Sequence, residues 1–347
     1  MHNTQGPLAI RYDPSVASTS YHLESKVPMN YRRLGMWGVK LSEIGFGSWL
    51  TLNRQGQEHA DRLHRTAYEN GINFFDTANV YGRGQTEVLV GKALVPFRRD
   101  TYVLATKVYW GFERDRPFPG ANDCGLARKH VFAQCHASLG RLNTDYIDLY
   151  QCHRYDENTP LIETCRAMND LINQGKALYW GVSEWNASQI TEAVEVCDDH
   201  GWHRPASNQP LYNMLERHWE AEVFPTCRRL GLGIVNFSPL AEGVLSGKYS
   251  DGIPPDSRAA DEQAGEFIRP RLSQKNLAKL SKLAEVARGL EVPMATLALA
   301  WCLRRPELTS CIIGASRPEQ IVDNTKASEV ELDDAVADHI SAILGGE

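Results

Sequence analysis

The sequence predicts an α/β fold, a closed (β/α)8 TIM barrel with an N-terminal β-hairpin and extra C-terminal helices. Eight strand-like runs alternate with helix-like segments after the hairpin. Several of these runs end in a single polar or ionisable residue, as expected where the carboxyl ends of barrel strands form an active site. The rival fold, a doubly wound sheet, is disfavoured because residues 45–50 read G-F-G-S-W-L and lack the G-x-G-x-x-G dinucleotide pattern.

The composition of the 347-residue chain is that of an ordinary globular protein, with 42% hydrophobic and 23% charged residues. This length allows one large barrel domain. The formal net charge of −6 provides no basic surface, so we expect no nucleic-acid partner. No run of about eighteen apolar residues occurs, so we expect no membrane span.

Residues 1–30 are rich in Ser, Thr, His and Pro and lack the apolar segment of a secretory signal. We expect a flexible N-terminal extension there and a single barrel domain over residues 31–347, with Met29 as an alternative start of the compact part. The eight cysteines are scattered and have no metal-ligand spacing. They predict reduced, mostly buried thiols in a cytoplasmic protein without a metal site.

The predicted strands are short apolar or β-branched runs bounded by glycines and polar residues. The hairpin is predicted at residues 31–35 and 38–41. The barrel strands are predicted at residues 44–47, 72–75, 102–106, 147–152, 178–182, 206–208, 233–237 and 310–313.

Helices are predicted where apolar residues recur at helical spacing between recognisable caps. Ala127, Val131, Cys135 and Leu139, for example, lie on one helix face, and Gly71 is a natural left-handed cap. The predicted helices cover residues 58–70, 86–93, 126–142, 160–175, 187–200, 216–230, 275–288 and 295–304, with two more that begin at residues 318 and 333. Residues 238–274 form a polar connection that is too long to be idle and is therefore expected to be functional.

Five predicted strands end in side chains that can donate, accept or carry charge. These side chains are Asp76, Lys107, His153, Ser183 and Gln209. Tyr81 follows Asp76 by five residues, in a loop. Each of these side chains taken alone is more often a cap, a solvated charge or a packed core residue. Their joint order and spacing predict one site built from several strands.

Several motifs resemble those of the aldo-keto reductases. They are D-T-A-N-V-Y-G at 76–82, T-K at 106–107, D-L-Y-Q-C-H at 148–153, G-V-S at 181–183 and F-S-P-L-A at 237–241. The likeness covers nearly all of residues 31–345. Segments such as G-S-W-L-T and I-N-Q-G-K-A-L-Y-W-G are most similar to the group of potassium-channel β-subunits and their bacterial and plant relatives. The resemblance implies a barrel that binds NADP(H) without a Rossmann domain.

The resemblance implies a catalytic tetrad of Asp76, Tyr81, Lys107 and His153. Carbonyl reduction needs a proton donor, and a phenol with a pKa near 10 releases its proton poorly at pH 7. Tyr81 is the expected general acid, and Lys107 is expected to lower the pKa of its phenol. Asp76 would orient the ammonium, and His153 would hydrogen-bond the carbonyl. Trp49 and Trp110 are expected to wall the substrate pocket with Tyr81 and His153, although either tryptophan could equally be a core or rim residue.

The resemblance also implies the cofactor contacts. Ser183 and Gln209 match positions that bind the nicotinamide carboxamide, and Phe237 matches an aromatic ring that stacks on the nicotinamide. Ser238, Leu240, Gly243 and Lys248 match the loop around the pyrophosphate, and Ser316, Gln320 and Asn324 match the adenosine end. Arg258 and Arg317 are expected near the 2'-phosphate or else are ordinary surface charges. The other expected cofactor contacts are Ser48, Trp49, Gln55, Asp76, Glu184, Pro239, Ala241, Gly314 and Asp323.

Two positions depart from the pattern of the family. Glu184 stands where members usually have asparagine or, in the channel subunits, arginine. Its carboxylate can accept from the carboxamide NH2 but cannot donate to the carboxamide oxygen. Phe237 replaces a tyrosine or tryptophan, which preserves stacking and loses the polar group.

Two functions fit these observations. One is an NADPH-dependent reductase of aldehydes or ketones that acts reversibly on small molecules. The other is a non-catalytic or weakly catalytic redox-sensing subunit of a channel-like assembly. His153 favours the first, because the channel subunits carry asparagine there. The resemblance also implies a homo-oligomer, a tetramer or larger.

Overall fold

The computed structural model of the chain describes residues 29–49, 52, 55–111, 120–249 and 268–345. The predicted extension at residues 1–28 and the predicted cofactor residue Arg258 lie outside these ranges. Met29 and Asn30 were also assigned to the extension, but both pack on the barrel. Met29 is buried, and Asn30 donates from its backbone and its side chain to Ser328 at 3.0 and 2.7 Å.

The strands form a two-stranded hairpin and a closed eight-stranded barrel, which confirms the predicted fold. The hairpin consists of β1 (Tyr31–Arg33) and β2 (Lys40–Ser42). The barrel consists of β3 (Ile44–Gly47), β4 (Phe74–Asp76), β5 (Val103–Val108), β6 (Ile147–Cys152), β7 (Ala177–Ser183), β8 (Ser207–Gln209), β9 (Gly233–Phe237) and β10 (Leu308–Ile313). Neighbouring barrel strands are parallel, and β10 closes the ring by pairing with β3.

Helices surround the barrel and supply the right-handed crossovers that parallel strands require. Those in the described ranges are α1 (Gly56–Glu69), α2 (Gln85–Leu94), α3 (Arg128–Leu142), α4 (Leu161–Asn173), α5 (Ala187–Asp199), α6 (Val223–Leu230), α7 (Gln274–Gly289), α8 (Met294–Leu303), α9 (Pro318–Thr325) and α10 (Asp334–Leu344). The helix α5 begins with a capping box in which Asn186 and Gln189 each accept from the other's backbone N–H.

The helix predicted at residues 216–230 is shorter than expected. Only Val223–Leu230 is α-helical, and a 3-10 turn precedes it at His218–Glu220. Pro225 explains the difference, because proline is tolerated in the first turn of a helix but clashes with the preceding turn in the helix interior. A helix that began at Glu216 would place Pro225 in its interior.

The hairpin packs against the amino-terminal end of the barrel. Leu34 and Leu41 are buried in a cluster with barrel residues such as Val103 and Val235. Gly35 approaches the chain before β9 so closely, with φ of +57°, that a Cβ there would lie 2.2 Å from the Gly231 carbonyl oxygen. Only glycine fits this contact. The other end of the barrel, where the strands terminate, is left for a site.

Within the described ranges, no single helix is long and apolar enough to cross a membrane. The one pair that meets this test together, Gln274–Gly289 with Met294–Leu303, is bent by 91°. The eight cysteines are free, and all except Cys124 are buried, as predicted. In the same part of the chain, no group of three His, Cys, Asp or Glu side chains is arranged to hold a metal ion.

Candidate active site

The predicted strand-end residues meet at the carboxyl-terminal mouth of the barrel. Asp76 ends β4, and Lys107 lies one residue before the end of β5. Ser183 and Gln209 are paired partners at the ends of β7 and β8. His153 follows β6, and its backbone N–H donates to the Val108 carbonyl at 2.9 Å. The parallel register therefore brings together side chains that are far apart in sequence.

A buried ion pair lies at the centre of this mouth. The Lys107 side chain is 0% exposed, and its Nζ lies 2.5 Å from Asp76 Oδ2. The same ammonium donates to the Thr77 carbonyl at 2.8 Å and reaches the Tyr81 hydroxyl at 3.5 Å. The three N–H donors of Lys107 thus have three acceptors, and one of them is the phenol that was predicted to be the acid.

The pKa shifts follow from burial and this ion pair. Burial disfavours the charge on Lys107, but the Asp76 carboxylate and Tyr81 together hold the pKa of Lys107 above its ordinary value. Burial raises the pKa of Tyr81, and the Lys107 ammonium opposes this rise. Lys107 therefore acts in the predicted direction, but burial outweighs it and the net pKa of Tyr81 is raised rather than lowered. Tyr81 consequently holds its proton at neutral pH.

The loop that carries Tyr81 is fixed by backbone and side-chain hydrogen bonds. Thr77 N–H donates to the Ala105 carbonyl at 3.0 Å, and Asn79 N–H donates to the Lys107 carbonyl at 3.2 Å. The buried Asn79 amide then donates to the Trp110 carbonyl and to the side chain of Gln134, both at 3.1 Å. Asn79, which was not predicted as a site residue, thus ties the tyrosine loop to the segment after β5.

Aromatic rings surround the Tyr81 hydroxyl on its open side. The His153 ring lies 5.8 Å from the Tyr81 ring and 4.7 Å from the Trp110 ring, measured between centroids. The Trp49 ring is 6.4 Å from the Tyr81 ring. The four side chains predicted to form the substrate pocket are therefore next to one another. This arrangement can enclose a carbonyl group between an imidazole and a phenol.

A second set of hydrogen bonds holds the other oxygen of Asp76. Gln209 Nε2 donates to Asp76 Oδ1 at 3.0 Å, and Gln151 Nε2 donates to the same oxygen at 3.3 Å. Gln151, which is fully buried, was not predicted to have a role. The signal was present, because Gln151 stands two residues before His153 and alternate strand residues face the same side.

Glu184 adopts a left-handed backbone with φ of 60°, which is uncommon for glutamate and more readily adopted by asparagine. Its carboxylate accepts the backbone N–H of Leu211 at 2.6 Å. Ser183 Oγ donates to the Gln209 carbonyl at 2.9 Å. Phe237, at the end of β9, is half-buried beside β7 and β8, which carry Ser183 and Gln209. The Glu184 carboxylate is therefore already engaged by the backbone.

The loop after β9 contains several left-handed residues in close succession. Ser238, Ala241, Glu242 and Gly243 have φ values of 51°, 47°, 53° and 97°. A Cβ on Gly243 would lie 3.0 Å from the Nζ atom of Lys248, so the lysine extends across the glycine. Within this loop Pro239 is buried and Leu240 half-buried. Backbone of this kind can direct N–H groups towards an anion.

The predicted adenosine-end residues follow β10 and lie at or near the start of α9. Gln320 Oε1 accepts from Ser316 N–H at 2.8 Å and from Arg317 N–H at 3.3 Å. Asn324 is buried, whereas Asp323 is exposed and pairs with Lys326 at 2.7 Å. Gly314 is exposed just after the strand. The start of a helix favours bound phosphate because its N–H groups are unpaired.

The remaining predicted contacts are less concentrated. Ser48 Oγ donates to the Asp76 backbone carbonyl at 3.1 Å, so it supports the base of the site. Gln55 is exposed and directly precedes α1, and the structure shows no contact that joins it to the tetrad.

The chain is similar to known proteins over most of its length. The sequence model of the Aldo/keto reductase family matches residues 43–344. A protein of Arabidopsis thaliana named "Probable voltage-gated potassium channel subunit beta" is 44% identical over 307 residues, which cover 87% of this chain and 92% of that protein. A protein of Oryza sativa subsp. japonica with the same name is 42% identical over 323 residues, covering 91% and 97%.

Proposed function

Because the chain belongs to the aldo/keto reductase family, we propose that it is an NADP(H)-dependent oxidoreductase that reversibly reduces aldehyde and ketone carbonyls to alcohols. The observation that carries this proposal is the buried contact of Lys107 with both Asp76 and Tyr81 at the open end of the barrel. A buried ammonium beside a phenol is suited to a proton donor that must also hold negative charge briefly.

The proposed roles follow from the contacts of each side chain. The chemistry that a reduced nicotinamide would supply when bound at this mouth is a hydride for the carbonyl carbon. Tyr81 donates its phenolic proton to the carbonyl oxygen, and the Lys107 ammonium stabilises the phenolate that remains. Asp76 balances the Lys107 charge in both states. The His153 imidazole orients the carbonyl from the neighbouring position, and Trp49 and Trp110 exclude water from the pocket.

The residues around the mouth fit an NADP(H) cofactor. Gly243 lets Lys248 extend across a loop of left-handed residues, where a pyrophosphate would gain both charge and N–H donors. Phe237 offers a ring for stacking, while Ser183 and Gln209 offer polar groups for a carboxamide. The other proposed contacts are Ser48, Trp49, Gln55, Asp76, Glu184, Ser238, Pro239, Leu240, Ala241, Arg258, Gly314, Ser316, Arg317, Gln320, Asp323 and Asn324.

We also propose that the protein works in the cytoplasm as a homo-oligomer, a tetramer or larger, and acts on small carbonyl compounds. This assignment is an inference from the group that the sequence resembles. Size-exclusion chromatography with multi-angle light scattering tests the oligomer, because a monomeric mass at micromolar concentration would contradict it.

The decisive experiment measures NADPH consumption by the purified protein with a panel of aldehydes and ketones, together with NADPH binding by fluorescence. We expect consumption that depends on the carbonyl substrate. Tyr81→Phe should lower turnover by at least about a hundredfold, as expected for a lost general acid, and leave NADPH affinity nearly unchanged. Turnover near wild type in this variant would refute the role of Tyr81.

The second candidate function is a redox-sensing NADP(H)-binding subunit. It is favoured by the names of the two plant relatives, which describe them as channel β-subunits. Tight NADPH binding without turnover on any carbonyl compound would support this alternative over the reductase. Substrate-dependent turnover at ordinary enzymatic rates would exclude a purely sensory role.

A further inference from the structure

Arg154 directly follows His153 and lies against the proposed substrate pocket. Its Nη1 donates to the His153 backbone carbonyl at 2.6 Å. The central carbon of the guanidinium lies 5.1 Å from the centre of the Trp110 ring. Because the Trp110 and His153 rings are also in contact, at 4.7 Å, the guanidinium is two contacts away from the proposed carbonyl position. It therefore lies beside two of the side chains that are proposed to form this pocket.

Among the described residues, no carboxylate matches the charge of Arg154. Within the residues that the structure describes, this half-buried guanidinium makes no ion pair. Other half-buried arginines behave differently: Arg99, Arg217 and Arg271 each face an acidic partner at 2.5 to 2.8 Å. Arginine stays charged in proteins, so a guanidinium without a carboxylate retains several donors for an incoming anion.

The acidic residue nearest to Arg154 in sequence is committed elsewhere. Asp156 Oδ2 accepts from Leu126 N–H and from Thr159 Oγ1, both at 2.7 Å, and Oδ1 accepts from Asn158 N–H at 3.0 Å. These bonds hold the pKa of Asp156 below its ordinary value, although burial alone would raise it. Asp156 thus secures the loop before α3 and does not pair with Arg154.

The charge of Arg154 also acts on the reacting end of the pocket. Burial raises the pKa of Tyr81, and Arg154 is one of the cations that lower it, after Lys107. Electrostatic influence of this kind requires proximity in a poorly hydrated region. A carboxylate bound at Arg154 would thus lie on the same molecule as a carbonyl at Tyr81.

We propose that Arg154 forms an anion subsite in this pocket, and that the preferred substrates are carbonyl compounds that also bear a carboxylate. This inference rests on the reductase function proposed above. The carboxylate forms a charge-assisted hydrogen bond with the guanidinium and does not react. At the other end of the substrate, the carbonyl carbon gains a hydride from the nicotinamide and the carbonyl oxygen gains a proton from Tyr81.

The experiment compares two substrates that share a ring and an aldehyde but differ in charge, 4-carboxybenzaldehyde and methyl 4-formylbenzoate. The wild-type protein should have the higher kcat/KM for the carboxylate. Arg154→Met should lower that value about ten- to a hundredfold, as for loss of a charged hydrogen bond, and change the value for the ester less than about threefold. Arg154→Lys keeps the charge, so its kcat/KM for the carboxylate should lie between those of the wild type and Arg154→Met.

Arg128→Met is the matched control. Arg128 also lies over an aromatic ring, with its guanidinium carbon 4.4 Å from the Phe132 ring centre, but it pairs with Asp170 at 2.5 Å. We expect kcat/KM for both substrates to be the same in this variant as in the wild type. With NADPH kept saturating, raising the ionic strength should lower kcat/KM for the carboxylate more than for the ester, and this difference should disappear in Arg154→Met.

Two results would overturn the anion subsite. One is an equal loss for the two substrates in Arg154→Met, which would mean that Arg154 acts through Tyr81 and not on the carboxylate. The other is a wild-type protein that turns over the ester at least as well as the carboxylate. Absence of turnover with both substrates despite NADPH binding would instead refute the reductase function on which the subsite depends.

Discussion

Gln209 Nε2 lies 3.0 Å from Asp76 Oδ1, so an amide from β8 holds a carboxylate from β4 across the mouth of the barrel. The other oxygen of that carboxylate, Oδ2, receives Lys107. The residue proposed to bind the carboxamide of the cofactor is therefore also a support for the proton-donating pair. A disturbance on one side of the site will reach the other through Asp76.

Gln151→Leu tests this connection without removing a proposed cofactor contact. Gln151 Nε2 donates to Asp76 Oδ1 at 3.3 Å, and Gln151 Oε1 accepts from Gln209 Nε2 at 3.4 Å. Loss of these hydrogen bonds should lower kcat at least about fivefold, since the loss of one buried bond costs about 1 kcal/mol. The dissociation constant of NADPH, measured by fluorescence, should change less than about threefold.

Gln57→Leu is the control for that substitution. Gln57 also donates to a carboxylate, Asp61 Oδ1 at 2.7 Å, but it lies on α1 outside the barrel. It should leave kcat unchanged. Equal kcat values in Gln151→Leu and the wild type would contradict a positioning role for Gln151.

Glu184→Asn should leave NADPH affinity equal or increase it. Asparagine tolerates the left-handed backbone at this position better than glutamate does. The substitution shortens the side chain and removes the contact with Leu211 N–H, so the free energy of unfolding should change by no more than about 1 kcal/mol. Titration with NADPH measures the first effect and urea denaturation the second.

Glu184→Gln completes that comparison, because it keeps the side-chain length and removes the charge. A large loss of NADPH affinity in both variants would show that the carboxylate itself contributes to cofactor binding. A loss of NADPH affinity in Glu184→Asn alone would show that the length of the side chain, and not its charge, is responsible.

Arg141→Met should strongly destabilise the fold. The Glu87 side chain is 0% exposed and pairs with Arg141 at 2.6 Å, while Thr106 Oγ1 donates to its other oxygen at 2.5 Å. Removing Arg141 leaves a buried carboxylate without its charge partner, which typically lowers the free energy of unfolding by about 3–5 kcal/mol. Urea denaturation measures the loss, and Arg141→Met combined with Glu87→Gln should recover part of it.

An exposed ion pair gives the contrast. Arg62 pairs with Glu58 at 2.9 Å, and both side chains are more than half exposed. Arg62→Met should change the free energy of unfolding by less than about 0.5 kcal/mol. Similar effects of the two arginine substitutions would show that burial of Glu87 is not the deciding factor.

His64 should make the protein less stable in mild acid. Burial between Phe46 and Phe75 lowers the pKa of His64 to about 4, whereas an exposed histidine in the unfolded chain takes up a proton near pH 6.5. The His64 contribution to the free energy of unfolding is therefore fully present above about pH 6.5. It is lost as the pH drops towards 4, by about 2 kcal/mol at pH 5. His64→Leu should lack this part of the acid sensitivity in urea denaturation at pH 7.5 and pH 5.

His200→Leu serves as the control for the histidine experiment. His200 makes the same kind of contact, from Nδ1 to a carbonyl four residues earlier at 2.9 Å, but on the surface. This variant should keep the acid sensitivity of the wild type. If His64→Leu also keeps the acid sensitivity of the wild type, groups other than His64 cause the loss of stability in acid.

The sequence predicted the barrel well because the alternation of strands and helices is a local pattern. Each strand run with a polar end could be recognised without its neighbours. The helix predicted at residues 216–230 was too long because the spacing of apolar residues does not show that Pro225 must lie in the first turn of the helix. The tetrad residues are placed together by strand register, as expected, whereas their chemical roles stay predictions.

Other features depend on three-dimensional distances that no pattern contains. Gln209 and Asp76 are separated by 133 positions, and their hydrogen bond depends on the closure of the barrel and on two rotamers. The raised pKa of Tyr81 reflects the balance between burial and Lys107, which needs coordinates. That no carboxylate of the described residues pairs with Arg154 is likewise visible only once the side chains are placed.

The pairing of β10 with β3 has a consequence for biosynthesis. β3 is the first barrel strand to leave the ribosome, yet one of its two neighbours, β10, is the last barrel strand to be made. Until β10 emerges, the nascent sheet has an unpaired edge that can associate with other chains. Productive folding is therefore favoured when this edge stays shielded until β10 has been made.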